Sequence, residues 1–344
     1  MRSKNPFRRI TKHENLPLFL VLLVIIVAVI LVEFFTVRSM NFSTVAFIKP
    51  MNISNVLLQV SVTGMLALSM TFIMISGQID LSIGQMMCFI GTGLAFLIKV
   101  VGINEWGAAA IAIVVTVMFQ LIMGLIISRT KLESFIVSLG FLSIYRGFTY
   151  LITNGREITI EGRFKFFGRT YFDLTDNFRL AMPVIIFLAL TLIVWFLLRY
   201  TKFGRRVYAV GGNENAAFLA GINVKNFRLL LYGINGVFIA IATMTQLSRL
   251  GVGSPLMGEG KEIEVIAAVV VGGVALVGGR GNAWGTFIGV LLLGIISNAL
   301  NILGVSPHFQ YVMRGLLILF AVSLTYVSSL RASSVKIQVK EGQD

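Results

Sequence analysis

Apolar residues in this chain gather into long runs almost free of charge, at about 16–36, 53–75, 80–98, 107–127, 134–152, 180–198, 227–247, 263–278, 283–303 and 310–328. A helix rising 1.5 Å per residue needs about 20 such residues to cross some 30 Å of hydrocarbon. The pattern therefore predicts an all-α membrane protein with about ten transmembrane helices. The first run follows Arg2, Lys4, Arg8, Arg9 and Lys12. It is longer than the apolar core of a signal peptide, and no small-x-small cleavage site follows it, so it is expected to be a retained helix. The organisation expected is a basic N-terminal segment 1–15, one membrane domain 16–328, and a tail 329–344.

Composition agrees. Of 344 residues, 56% are hydrophobic before the 34 glycines are counted, and 13% are charged. Soluble domains are about 45–50% apolar with glycine included and about 25% charged. There is too little charge to clothe a soluble core of this size. The net charge of +14 could suggest nucleic acid, but the basic residues fall between apolar runs and not in an aromatic-interleaved groove, which points to anionic lipid and away from nucleic acid. One cysteine, Cys88, and two histidines, His13 and His308, supply neither a disulfide framework nor a thiolate or histidine-rich metal site, so no metal is expected.

With ten spans both termini lie on one side. The loops on that side hold 17 Lys and Arg, those on the other hold 10, and Arg146 and Arg314 lie inside runs. By the positive-inside rule the richer side is cytoplasmic, which places both termini there. The 76–80 turn carries no basic residue, so its neighbours are oriented by parity alone.

The largest loop on the basic side is 199–226. After Gly211 and Gly212, Asn213 is placed to cap a short helix whose first turn carries Glu214, favourable beside the positive helix end, and Gly221 is placed to end it. Between them Asn215, Ala216, Ala217, Phe218, Leu219 and Ala220 form a small, mostly apolar helix. Such a helix offers a Phe–Leu knob to a groove on another protein, or lies on lipid headgroups.

The segment GGNENAAFLAGINV (211–224) resembles the cytoplasmic coupling loop of permease subunits in the ribose-type branch of bacterial ATP-binding-cassette sugar importers. SGQIDLSIGQMM (76–87) is similar to that family's GIDLSVG signature. EVIAAVVVGGVALVGGRGNAWGTFIGVLLLGIISNALNILGV (264–305) is similar to its AAVVLGG, GGRG and NGLNLLGV stretch. The three motifs stand in matching order within a likeness running from roughly 50 to 328. Gln78 stands where the family has glycine, and Asn282-Ala283-Trp284 where it has small or aliphatic residues. The resemblance implies a bundle similar to the cobalamin-importer class, paired with a second copy or a close paralogue around a path at their interface. It also implies an ATPase subunit that grips the coupling loop and a periplasmic sugar-binding protein docked outside. The 153–179 loop is positioned to carry part of that docking surface, or to be plainly solvated. No G-x-x-x-x-G-K-[ST] phosphate loop occurs in the sequence, so ATP and magnesium are expected on the partner and no cofactor on this chain.

Polar residues inside the runs are candidates for the solute path. Asp80 opens the third run either as a helix cap or as a solute contact, since a carboxylate facing lipid is costly. A weak likeness of the segment that follows it to the one after Glu262 suits halves of opposite orientation. Arg146 must face water, snorkel or pair. Gln59, Asn235, Asn298 and Asn301 are neutral amides suited to interhelical hydrogen bonds or to a hydroxylated solute, with Asn298 and Asn301 on one helix face. Gly285 and Gly289 have the small-xxx-small spacing of a close helix crossing. An ion-coupled secondary transporter is the rival, but Asp80 and Glu33 near span ends are poor material for a proton relay. An intramembrane enzyme would need H-E-x-x-H, G-x-S-x-G or paired carboxylates within a span, none of which occurs.

Overall fold

The computed structural model describes residues 15–36 and 46–306 except 161, 176 and 177, together with 308, 309, 312, 315 and 316. The expected N-terminal segment before residue 15, the tail 329–344 and nearly all of the 310–328 run lie outside the described residues.

Among the described residues eight helices are long and apolar enough to span a bilayer. They are α1 (Leu16–Thr36), α2 (Pro50–Ile75), α3 (Ile83–Phe96, continued by a π-helical turn Leu97–Val101), α4 (Glu105–Arg129) and α5 (Ser134–Thr153). The other three are α7 (Met182–Tyr200), α10 (Val224–Leu250) and α12 (Ala283–Ile302). Shorter helices are α6 (Phe166–Arg169), α8 (Lys202–Gly212), α9 (Glu214–Leu219) and α11 (Lys261–Val271). Their starts are written in the sequence. Asn104, Thr201, Asn213, Asn223 and Asn282 each accept a hydrogen bond from a backbone N–H of the first turn, and Pro50 and Pro183 sit in first turns, where a missing N–H costs nothing.

The pillar of the bundle is α2. It is 83% buried over its most apolar window, against 11% for α1, and packs on α7, α10, α11 and α12. Two sets of contacts define the two ends of the molecule. At one end, the Gly279 N–H donates to the Ile75 carbonyl (2.8 Å), the Tyr208 hydroxyl to the Gly281 carbonyl (2.8 Å), and the amides of Asn15 and Asn282 exchange hydrogen bonds. This is the end where the basic loops 199–223 and 272–282 meet. At the opposite end, β1 (Ile158–Thr159) pairs antiparallel with β4 (Val252–Gly253), and β2 (Tyr171–Thr175) with β3 (Phe178–Ala181). There the Arg169 guanidinium donates to the carbonyls of Arg249 and Leu250, and the Ser54 hydroxyl to that of Arg179. The 153–179 loop is thus folded onto the bundle end, with Ile160 and Phe164 buried in it.

One expectation fails. The 263–278 run is not a single spanning helix. Helix α11 has 11 residues, about 17 Å, and stops where Gly273 takes a left-handed φ of +86°, a conformation that costs glycine little. The other half of that crossing is the non-helical stretch 252–260, a two-residue strand followed by consecutive turns. It runs along α3 from Gly91, Thr92 and Ala95, beside Gly253, to Gly84, beside Gly258. Its polar backbone is tolerated because it is packed in protein and not in lipid. The expected 80–98 span forms as α3 with its π-helical turn, Ile83–Val101, starting three residues later than expected because residues 76–82, at the basic end, are irregular. At the meeting point Gly84 and Gly258 touch backbone to backbone. A Cβ on Gly258 would stand 2.1 Å from the Gly84 carbonyl oxygen, and the Gly258 N–H donates to the Cys88 sulfur (3.2 Å). The first turn of α3 therefore abuts the turn just ahead of α11, whose N-terminus lies inside the bundle.

Candidate functional site

At the basic end α9 stands away from the bundle on a short stem. The Asn213 side chain accepts from the Ala216 N–H (2.9 Å), and Gly221 takes a φ of +82° just past the helix, as the residue pattern predicts. Ala217 is buried against the stem, whereas Phe218 and Leu219 are 68% and 85% exposed. Glu214 forms a two-pronged pair with Arg228 of α10 (3.0 and 2.7 Å), and Asn215 and Ala216 lie on the exposed side. The stem is seated closely. A Cβ on Gly211 would lie 1.7 Å from the Ile75 carbonyl oxygen at the end of α2, so the base of α9 is fixed to the pillar by backbone contact.

Within the bundle the path candidates separate. Asp80 and Asn235 come together with a third residue, Gln120. The Asp80 Oδ1 accepts from the Ser82 N–H (2.8 Å) and hydroxyl (2.6 Å); its Oδ2 accepts from Gln120 Nε2 (3.2 Å) and Asn235 Nδ2 (2.8 Å). Asp80 is fully buried. Gln120 lies nine residues from the basic end of α4 and Asn235 eleven from that of α10, about 14–16 Å into the bundle. The carboxylate thus closes the turn before α3, whose N-cap position is Ser82, and ties that turn to two spanning helices.

Gln59 lines a shallow notch between α2, α11 and α12 together with Thr63, Glu264, Gly294 and Ser297. Here Lys261 Nζ donates to Glu264 Oε2 (2.9 Å) and to the Thr63 hydroxyl (3.0 Å), and that hydroxyl meets Glu264 Oε1 (3.1 Å). Thr63 lies midway along the 26-residue α2, so an ion pair sits near mid-depth with each side chain 23% exposed. Beside it Leu256 and Ile263 are exposed.

Asn298 is elsewhere, exchanging two 3.0 Å amide hydrogen bonds with Asn52 of α2. Asn301, one turn on, is exposed near the end of α12, and Arg146 lies on the exposed face of α5. Sequence reasoning missed Gln120, a lone amide in an apolar run that was itself the available signal. It also counted Lys261 among loop residues because the crossing it belongs to is helical over only half its length. Among the described residues no group of three His, Cys, Asp and Glu side chains is placed to hold a metal ion.

Comparison with known proteins bears on these features. The family model described as "Branched-chain amino acid transport system / permease component" matches residues 52–322. The chain is 40% identical to the ribose import permease protein RbsC of Bacillus subtilis (strain 168), over 81% of this chain and 86% of the relative. It is 32% identical to the xylose transport system permease protein XylH of Haemophilus influenzae, over 90% and 96%, and 35% identical to the L-arabinose transport system permease protein AraH of Escherichia coli (strain K12), over 79% and 81%. The chain belongs to this transport-permease family and, within it, stands with the permeases of ribose-type sugar importers.

Proposed function

We propose that this chain is the membrane subunit of an ATP-driven importer that moves a monosaccharide or similar small polyol into a bacterial cell. It works with a second copy or a close paralogue in the inner membrane, both termini in the cytoplasm. A separate ATPase subunit, carrying ATP and magnesium, grips α9; a periplasmic sugar-binding protein docks at the opposite end, on the folded 153–179 region.

The observation that carries this reading is the α9 knob. Two large apolar side chains stand in the open on a helix whose base is locked to the end of α2. Exposed apolar pairs on a rigid stem fit a groove on a partner. The mid-depth notch supports the same reading. A charged group at mid-membrane costs about 2.5–3.5 kcal/mol on insertion scales, so the partly exposed Lys261–Glu264 pair belongs against another subunit or water. The two charges neutralise each other, and with Thr63, Gln59 and Ser297 they offer hydroxyl-matching donors and acceptors without net charge. The relatives named for ribose, xylose and arabinose agree with such a solute. A path between copies would pass this notch, with Gln59 beside it. Asp80 and Asn235, fully enclosed, would support it from behind.

In membranes carrying the partner subunits, Phe218→Asp and Glu214→Lys are expected to abolish uptake and ATPase association while leaving expression intact. Unchanged uptake in both variants would overturn the assignment. Uptake that survives ATP depletion but collapses with an uncoupler would favour an ion-coupled carrier. Against that carrier, Glu33, buried on α1, is already engaged by the backbone N–H groups of Ala46 and Phe47 (2.5 and 3.0 Å).

A further inference from the structure

A cavity of about 710 Å³ opens at the basic end, between the start of α1, the last turn of α7, the first turn of α8 and the 272–282 turn. Three guanidinium-bearing residues line it, Arg199, Arg205 and Arg280, with Trp195, Trp284 and Tyr208. None of the described residues lining it is acidic. Its place along the molecule is fixed by helix ends: Asn15 immediately precedes α1, Arg199 is in the last turn of α7, and Asn282 caps α12. That is the level of the membrane–water interface, where tryptophan rings and basic side chains are at home.

Beside the cavity an aromatic row leads from its two tryptophans into the bundle. The rings of Trp195 and Trp284 lie 6.5 Å apart, Trp284 and Phe287 5.6 Å, and Phe287 and Phe187 5.4 Å. On the outward side of α7, Leu188, Leu192 and Phe196 are exposed at the same depths. A polar, cationic chamber at the interface joined to an apolar face along the membrane normal has the shape of a phospholipid. Basic pockets between spanning helices on the cytoplasmic side match anionic headgroups.

We propose that this cavity is a binding site for an anionic phospholipid of the cytoplasmic leaflet, its phosphate held by Arg205 and Arg280 and its acyl chains laid along Leu188, Leu192 and Phe196. Guanidinium groups suit this task because their fork of N–H donors matches phosphate oxygens two at a time. The floor of the cavity is the 279–282 turn, which is hydrogen-bonded to Ile75 and Tyr208, so the occupant also braces the base of α9. The site rests on the membrane placement of the chain and not on the identity of the solute.

The test uses the full-length chain purified in a neutral detergent, titrated with phosphatidylglycerol, phosphatidylcholine and glycerol phosphate and read by native mass spectrometry. Phosphatidylglycerol is expected to bind stoichiometrically, the other two weakly. Each guanidinium lost should weaken binding roughly fivefold, as expected for one basic group beside an anionic lipid. Arg205→Gln/Arg280→Gln should therefore lose binding, while Arg205→Lys/Arg280→Lys keeps most of it and shows that the cavity still folds. Lys131→Gln/Lys225→Gln, which removes the same charge elsewhere on the basic side, should bind as the unaltered chain does. Four results would each overturn the proposal: equal affinity for phosphatidylcholine, equal affinity for glycerol phosphate, undiminished binding in the glutamine variant, or an equal loss in the lysine control.

Discussion

Replacing Asp80 by alanine separates a structural carboxylate from a solute contact. Four donors converge on this side chain: the N–H and hydroxyl of Ser82 and the amides of Gln120 and Asn235. All are buried, and a buried donor left without an acceptor costs about 1–3 kcal/mol. Two of the four have somewhere else to go. Asn235 Nδ2 already reaches Gln120 Oε1 at 3.3 Å, and the Ser82 hydroxyl lies 3.7 Å from the Met123 sulfur. Two orphaned donors remain, so Asp80→Ala should cost about 2–6 kcal/mol. Asn235→Ala should cost less, because the carboxylate keeps three of its donors. The assay is thermal unfolding of the purified chain in detergent, alongside uptake in reconstituted vesicles. The expected outcome is a midpoint several degrees lower for Asp80→Ala, a smaller drop for Asn235→Ala, and loss of uptake in proportion to loss of folded protein. An Asp80→Ala chain that keeps its midpoint but loses uptake would refute the reasoning and make Asp80 a group that meets the solute.

Gly211→Val should uncouple while leaving the side chains of the knob intact: its own side chain collides with the Ile75 carbonyl and pushes the stem off the end of α2, so ATPase association should persist while uptake per ATP hydrolysed falls, measured in proteoliposomes. Gly289→Leu should prevent folding, since a Cβ there already lies 2.2 Å from the Ala268 carbonyl oxygen and overpacking costs about 1–3 kcal/mol or more; wild-type yield of the purified variant would count against the α11–α12 contact. Exchanging the partners in Glu214→Arg/Arg228→Glu should restore most of what either single change loses. The coupling in a double-mutant cycle should stay near 1 kcal/mol or below, because Glu214 is half exposed.

The eight continuous spans were legible because hydrocarbon demands one thing of a helix, an uncharged run of sufficient length, and that demand is local. The α9 helix was legible for another local reason: Asn213 and Gly221 mark its two ends whatever surrounds it. What the sequence did not show is non-local. Residues 252–260 cross half of the bundle as a short strand and a series of turns, and their backbone groups are sheltered because Gly84, Gly91 and Ala95 of a distant helix pack against them. A hydropathy window sees Lys261 and Glu259 there and reads a loop. Gln120 was overlooked for the same reason. Its meaning comes from Asp80, 40 residues away, and Asn235, 115 residues away, and nothing on α4 itself announces them.

Mechanical continuity links the two proposed working surfaces. The knob on α9 is joined through Gly211 to the end of α2 by backbone contact, and Thr63, midway along that helix, holds both members of the Lys261–Glu264 pair. Between them lie only 12 residues of one α-helix, about 18 Å, which does not compress. The 272–282 turn makes a second connection, since Gly279 bonds to Ile75 at one side and α11 ends at Val271 on the other. A displacement imposed on α9 by a closing motor would therefore reach the notch as a rigid shift of α2 and α11 together, and not as a local bend. A shift of that kind moves one notch against its counterpart on the second copy, which is what alternating exposure of a path between two subunits requires. It also predicts where a restraint acts. A crosslink between Ser297→Cys of one copy and Ser297→Cys of the other, across the proposed path, should block uptake while leaving the motor bound. Uptake at an undiminished rate with the crosslink formed would show that the two notches do not move against each other during transport.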